Sequence, residues 1–184
     1  MRVLGISGSL RRDSYNTKLL RVAEELLPAG AELELYEALE DVPAYNEDRD
    51  TDDAPPAVAR LREAIADADA VLVATPEYNG SVPGQLKNAV DWASRPHRTA
   101  ALWGKPVVVI GATTGMFGAV WAQADLRKIL KTAGARVVDA EVAVGRAHER
   151  FTEDGALVDA EIRDQLEEAL ESLLAEVRPT LVAA

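Results

Sequence analysis

The stretch Ala70-Val71-Leu72-Val73-Ala74-Thr75, followed at once by Pro76-Glu77-Tyr78-Asn79-Gly80-Ser81-Val82-Pro83-Gly84, decides the fold. A short unbroken apolar run bounded by turn formers reads as a strand buried on both faces, the kind found inside a parallel sheet. Where it ends, a loop rich in Pro, Gly, Asn and Ser begins. In an open parallel sheet, ligands sit just beyond the carboxyl ends of the strands. Two more predicted strands end in loops of the same character: Ser7-Gly8-Ser9-Leu10-Arg11-Arg12-Asp13-Ser14-Tyr15-Asn16 and Ala112-Thr113-Thr114-Gly115-Met116-Phe117-Gly118. Three such loops on one edge of one sheet build a single pocket.

Outward from that strand, the chain alternates strand with helix. Val3 to Ser7 forms the first strand, and Leu19, Ala23, Leu26 and Leu27 mark the face of a helix that Pro28 and Gly30 stop. Leu33 to Tyr36 follows as a strand, and Pro56 to Asp67 as a helix with Val58, Leu61 and Ile65 in register. After the Pro76 loop come a helix marked by Leu86, Ala89, Val90 and Ala93, then a strand from Val107 to Ile110 opened by Pro106. Leu126, Ile129, Leu130 and Ala133 mark the next helix, with Gly134 at its end. Arg136-Val137-Val138 begins a fifth strand, and a long amphipathic helix carrying Ile162, Leu166, Leu170, Leu173 and Val177 runs to Pro179. This order predicts an α/β fold: a three-layer doubly wound sandwich around a five-stranded parallel sheet with right-handed crossovers and strand order 2-1-3-4-5. Residues 1–184 are read as one domain. Residues 37–54 are acidic and irregular, with Pro43, Asn46 and five Asp, and read as a solvated linker rather than a metal site.

Composition narrows the function. The 184 residues suit one domain with a substantial core, and 48% hydrophobic content is that of a globular chain. The absence of cysteine excludes disulfides, thiolate metal sites and a cysteine nucleophile, and fits a reducing compartment. A net charge of −11 repels polyanions, which argues against a nucleic-acid partner. No basic leader precedes a long apolar run, and no apolar run approaches the ~20 residues of a membrane span. The expectation is a soluble cytoplasmic protein.

The first loop matches neither G-x-G-x-x-G nor G-x-x-x-x-G-K-[ST], so it is neither the dinucleotide nor the triphosphate fingerprint. It offers hydroxyls and an amide from Ser7, Ser9, Ser14, Asn16 and Thr17, and the guanidinium of Arg11. Ser14 stands where a helix N-cap belongs, and a helix start presents free N–H groups and positive dipole to an anion. The set suits a phosphomonoester; the alternative is that Ser14 only caps the helix and Ser9 only closes a turn. In the second loop, Glu77, Asn79 and the backbone offer donors and acceptors, and Tyr78 a flat face. Thr113 and Thr114 add hydroxyls in the third, where Gly115 and Gly118 bracket Met116-Phe117 and let the backbone come close to a ring. Together they suit a flat heterocycle; the alternative is that Pro, Asn and Gly only form turns, and that Met116 and Phe117 only pack. His97 and His148 lie in polar surroundings without a catalytic partner and read as surface residues.

In these three segments the chain resembles the flavodoxin-fold NAD(P)H-dependent FMN reductases, the group that includes chromate and quinone reductases. The likeness rests on G-S-L-R-x-x-S-x-N (Gly8 to Asn16), on P-E-Y-N-x-S-x-P-G-x-L-K-N-A-x-D-W (Pro76 to Trp92), and on Gly115 to Arg127. It extends to about residue 140. The third segment departs from the family: Trp121 precedes Ala122-Gln123 where an Arg is common, and Ala119 follows Gly118 where many relatives have a second Gly.

The resemblance implies bound FMN. Ser9, Arg11, Ser14, Asn16 and Thr17 would hold its phosphate; Pro76, Glu77, Tyr78 and Asn79 would line the ribityl chain and ring. Thr113, Thr114, Gly115, Met116, Phe117 and Gly118 would meet the pyrimidine side. It further implies NADPH or NADH as co-substrate, hydride transfer through the flavin to a quinone or similar small acceptor with no obligatory side-chain acid, and a homodimer or homotetramer. Trp92 is then either an interface residue or core. Arg11, Arg12 and Arg95 are candidates for a 2′-phosphate contact. Two rival readings stand beside it: a non-enzymatic flavin electron carrier, whose first loop is usually T/S-x-T-G-x-T and which would lack an open face for nicotinamide, and a redox-sensing regulator, which the same pocket would serve. A phosphoryl-receiver domain needs acidic residues where this chain has Ser7, Ser9 and Thr75-Pro76.

Overall fold

The computed structural model describes residues 1–51 and 53–182, with side chains to Val177. Asp52 of the acidic segment lies outside the described residues; the last helix runs on past Pro179 to Val182, so the expected stop at Pro179 does not hold. The elements in chain order are β1 (Arg2–Ser7), α1 (Tyr15–Leu26), β2 (Glu32–Leu35), α2 (Pro56–Asp67), β3 (Ala70–Thr75), α3 (Gly84–Ala93), β4 (Pro106–Ala112), α4 (Val120–Thr132), β5 (Arg136–Val137), β6 (Ala143–Val144), α5 (Ala147–Arg150) and α6 (Ala160–Val182). All strand pairs are parallel, and the order is β2-β1-β3-β4-β5 with β6 also on β4.

Alternation along the two central strands sorts the core into two layers. Ala70, Leu72 and Ala74 of β3 and Val108, Ile110 and Ala112 of β4 pack with α1 and α6; Val71, Val73, Val107 and Val109 pack with α2, α3 and α4. Every residue of β3 and β4 is buried, which is why both strands read as unbroken apolar runs. Register aligns Ser7 with Ala74 and Thr75 with Gly111, so the three loops leave the sheet at one level.

Two more expectations need correction. The fifth strand is split in two, because α4 inserts polar side chains where its middle would pair. Arg127 Nη2 donates to Ala140 O (2.7 Å), Val109 O (3.4 Å) and Gln123 Oε1 (3.1 Å), while Gln123 Nε2 donates to Val142 O (3.2 Å) and Gly118 O (2.9 Å). Arg127 thus occupies the carbonyls of Val109 and Ala140 that a continuous strand would have used, whereas Val142 O still accepts from Gly111 N of β4 (2.9 Å). The acidic segment, in turn, is no free linker. It forms two 3-10 turns, Leu39–Asp41 and Glu47–Arg49, and is strapped to α3. Gln85 Nε2 donates to Leu39 O and Val42 O, Asn88 Oδ1 accepts from Tyr45 N (2.7 Å), and Trp92 Nε1 donates to Pro43 O (2.8 Å). Trp92 is wholly buried, edge-on to Tyr45 at 4.8 Å, so it is core and not an interface residue.

Candidate functional site

At the carboxyl ends of β1, β3 and β4 the three loops meet around a cleft of about 130 Å³. Ser9, Arg11, Ser14, Tyr15 and Asn16 form one wall, Pro76, Glu77 and Tyr78 a second, and Ala112, Thr113 and Thr114 the third. The first loop is stitched to β3 by Gly8 N donating to Ala74 O (2.8 Å). A Cβ on Gly8 would lie 2.7 Å from Leu86 Cδ2 and 3.2 Å from Pro76 Cδ, so this close approach requires glycine.

Within that loop the hydroxyls are ordered by the backbone. Ser14 Oγ caps α1 by accepting from Asn16 N (3.2 Å) and Thr17 N (3.4 Å). Both its lone pairs are then used and its hydroxyl hydrogen is left to donate. Ser9 Oγ likewise accepts from Arg11 N (3.4 Å). Tyr15, the first residue of α1, has an amide with no partner inside the helix. The donors aimed at the cleft are therefore two hydroxyls, a helix-start amide and the exposed guanidinium of Arg11.

Other expected residues are used differently. Asn16 is buried, with Nδ2 donating to Ala112 O (2.9 Å) and Oδ1 accepting from Ala112 N (3.0 Å), a clamp between α1 and the end of β4. Thr17 Oγ1 donates to Ser7 Oγ (3.0 Å) on the far side of the loop, outside the cleft. Glu77 Oε2 accepts from Trp121 N (3.2 Å) and Ala122 N (3.1 Å). It caps α4 across 44 residues, because α4's own N-cap residue, Ala119, supplies no side-chain acceptor. Asn79 and Gly80 both have positive φ (55° and 74°), and Tyr78 pairs with Ser81. That is a two-residue hairpin turn of the primed type, with Asn79 at its tip and outside the cleft. Ser81 Oγ donates to Asp125 (2.7 Å), a second tie from this loop to α4.

The third loop contributes Thr113 and Thr114 to the lining, whereas Gly115, Met116, Phe117 and Gly118 lie beyond it. Met116 and Phe117 are exposed, and Phe117 stands edge-on to exposed Trp121 at 5.1 Å. A Cβ on Gly118, whose φ is +58°, would fall on the backbone of Ala143 and Val144. Gly115 O and Thr113 O accept from Arg146 N (2.7 Å) and Ala147 N (2.9 Å), so the segment after β6 holds this loop in place. Sequence reasoning missed Tyr15 and Ala112 as lining residues; the signal for Tyr15 was its position directly after the N-cap. His97 and His148 are exposed and away from the cleft, His97 edge-on to Trp103 at 5.1 Å.

Chemically, the cleft lacks the parts for side-chain acid–base work. Of its lining residues only Arg11 and Glu77 carry charge at neutral pH, and the Glu77 carboxylate is engaged by α4. Among the described residues no cluster of His, Asp and Glu is arranged to hold a metal ion. The donor set around Ser9, Arg11, Ser14 and the start of α1 fits the phosphate of FMN. Tyr78, Thr113 and Thr114 supply a flat face and hydroxyls for a ring with mixed acceptors and donors. A larger groove of about 440 Å³ lies between α3 and α4, walled by Lys87, Asp91, Asp125 and Lys128.

Known proteins share this arrangement. The NADPH-dependent FMN reductase model matches residues 1–149. An NAD(P)H-dependent FMN reductase of Pseudomonas aeruginosa is 44% identical over 97% of this chain and 96% of its own length. A 2-hydroxy-1,4-benzoquinone reductase of Burkholderia sp. is 36% identical over 97% of each chain. Among solved structures, a flavoenzyme NAD(P)H:(acceptor) oxidoreductase of Paracoccus denitrificans superposes with a TM-score of 0.86 at 38% identity, over 97% of both chains. With the sheet order, the three converging loops and these likenesses in agreement, the chain belongs to the NADPH-dependent FMN reductase family.

Proposed function

We propose that this chain is an FMN-dependent oxidoreductase that passes reducing equivalents from NAD(P)H to a quinone or a similar small acceptor. The observation that carries the reading is the convergence of three strand-end loops on a cleft whose first wall is a donor set built around the start of α1. Ser9, Ser14, Arg11 and the Tyr15 amide hold the FMN phosphate. Thr113, Thr114 and Tyr78 border the ring, and Glu77 fixes the loop that carries Tyr78 against α4. When bound, FMN supplies the hydride chemistry, and the side chains position it rather than transfer protons. The quinone preference draws support from relatives named quinone reductase, among them one of Escherichia coli 40% identical over 76% of this chain.

A homodimer or homotetramer fits the exposed Met116, Phe117 and Trp121 beside the cleft, which a second copy would cover. No described helix is long and apolar enough to cross a membrane. The cysteine-free composition supports a cytoplasmic setting. The deciding experiment is anaerobic: the FMN-loaded protein bleaches on addition of NADPH or NADH and regains its yellow colour with a benzoquinone. A flavin that stays yellow refutes the enzyme. Replacing Arg11 by Ala weakens FMN affinity by about 1–3 kcal/mol, the worth of one charge-assisted hydrogen bond, and unchanged affinity in fluorescence titration removes Arg11 from the site.

A further inference from the structure

The turn at the tip of the second loop carries a reactive pair that the flavin chemistry leaves unused. The chain has four asparagines, Asn16, Asn46, Asn79 and Asn88, and only Asn79 is followed by glycine. Asn16 holds both backbone groups of Ala112, Asn46 Oδ1 accepts from Asp48 N (2.9 Å), and Asn88 bonds Tyr45 N and Pro43 O. Among the described residues Asn79 alone of the four has a side chain with no hydrogen-bond partner, and the amide nitrogen of Gly80 has none either. Both residues are exposed, and a Cβ on Gly80 would meet nothing within 4 Å.

An asparagine side chain is open to attack by the backbone nitrogen of the residue after it. The reaction needs that nitrogen free, little bulk beside it, and rotation about the asparagine Cα–C bond that brings it onto Cγ. Gly80 meets the first two needs, and glycine restricts the backbone least. Thr17, Glu47 and Ala89 follow the other three asparagines and place a Cβ beside the nitrogen, and Asn16 and Asn88 are fixed in helices. The attack forms a bond from Gly80 N to Asn79 Cγ and breaks the Cγ–Nδ2 bond. The side-chain nitrogen takes the proton that Gly80 N loses and leaves as ammonia. Water then opens the cyclic imide. Opening at Cγ gives aspartate, opening at the main-chain carbonyl gives isoaspartate, and either product adds a negative charge.

We propose that Asn79-Gly80 is a self-modifying site, and that isoaspartate formed there withdraws Tyr78 from the cleft. The turn has no slack. Tyr78 N donates to Ser81 O (3.1 Å) and Ser81 N to Tyr78 O (3.2 Å), with only Asn79 (φ 55°) and Gly80 (φ 74°) between them. Isoaspartate routes the main chain through the side-chain methylene, which lengthens the turn by a carbon and spoils its match to the paired ends. Ser81 then loses its register with Asp125, and Tyr78 its place on the cleft wall. The modification stands apart from the reading of the cleft; its consequence for flavin rests on that reading. FMN bound against this loop favours the closed turn and so slows the reaction.

The test follows the amide by mass spectrometry. FMN-free and FMN-loaded protein are aged at mildly alkaline pH and digested briefly. The tryptic peptide Glu63–Lys87, in which Asn79 is the only asparagine, is compared over time with the peptides carrying Asn16, Asn46 and Asn88. FMN affinity of fresh and aged protein is read by fluorescence titration, alongside Asn79→Gly, which has no amide to lose and keeps a pair that primed turns favour. The expected result is that Glu63–Lys87 loses ammonia and then gains the acid, with isoaspartate seen on fragmentation, ahead of the other three peptides and more slowly with FMN. Aged wild type binds FMN up to about tenfold more weakly, the worth of one aromatic contact, and aged Asn79→Gly binds as it did when fresh. An Asn79 amide that lasts as long as the others overturns the proposal. So does isoaspartate that leaves FMN affinity unchanged, or conversion as fast in FMN-loaded protein as without FMN. A protein that converts Asn79 first but never binds FMN refutes the reading of the cleft and leaves the modification standing.

Discussion

Replacing Glu77 by Ala separates two roles that the residue could serve. Its carboxylate accepts the amides of Trp121 and Ala122 at the start of α4, at 3.2 and 3.1 Å, and among the described residues no other side chain caps that helix. Loss of an N-cap costs about 1 kcal/mol, within a range of roughly 0.5–2. Loss of a negative charge beside a helix start adds about 0.3–1 kcal/mol. The sum is about 1.5–2 kcal/mol, and for a domain of this size each kcal/mol lowers Tm by about 2–4 °C. Glu77→Ala is therefore expected to lower the Tm of the FMN-free protein by about 3–8 °C. Glu77→Gln keeps an acceptor but loses the charge, and should lose only about 1–4 °C. The assay is thermal unfolding by circular dichroism on protein stripped of flavin, which removes any contribution from ligand binding. An unchanged Tm in Glu77→Ala, with FMN affinity alone reduced, would refute the capping role and return Glu77 to the cofactor.

Asn16→Ala leaves the buried amide and carbonyl of Ala112 without partners, and should cost about 2–4 kcal/mol in urea unfolding; a loss under 1 kcal/mol would show that the clamp is dispensable. Gly118→Ala forces a Cβ onto the backbone of Ala143 at positive φ, so the third loop must shift; weaker FMN binding and a lower Tm are expected. Gly84→Ala, with open space around the Cβ at the first position of α3, should be neutral or stabilising by about 0.5–1 kcal/mol, and equal Tm values for the two glycine variants would contradict this contrast. Lys105 Nζ donates to Ala66 O and Ala68 O, the carbonyls at the end of α2, and burial there holds its pKa below the ordinary 10.5. The unfolded chain thus binds the proton more tightly, so this residue's contribution to stability rises as pH climbs toward 10.5. Wild type should gain on Lys105→Met across that alkaline range, and a gap in stability that stays flat with pH would show the reasoning to be wrong.

What the chain disclosed in advance was set by short-range physics. Buried strands announce themselves as apolar runs, so β1, β3 and β4 and the loops leaving them were legible, and so was Ser14 as a cap two residues from the amide it accepts. Side chains that satisfy distant backbone were not. Asn16 reaches Ala112 across 96 residues and Glu77 reaches α4 across 44, and nothing in local spacing encodes either partner. Both had polar groups that suited a ligand equally well on paper, and the helix and strand ends claimed them first. Trp92 was ambiguous for a similar reason: its burial depends on Pro43 and Tyr45 folding back over α3. The break between β5 and β6 lay hidden because the polar groups that cause it, Gln123 and Arg127, sit on a different element.

That break has a consequence for how molecules of this protein meet in a crowded solution. The outermost strand on that flank exposes two rungs, Arg136 and Val137, then a gap spanned by a guanidinium, then two more, Ala143 and Val144. A stray strand from another chain finds no continuous row of free amides and carbonyls to zip against. That flank is blunted against runaway stacking into fibrils by an arginine reaching out from the helix behind it.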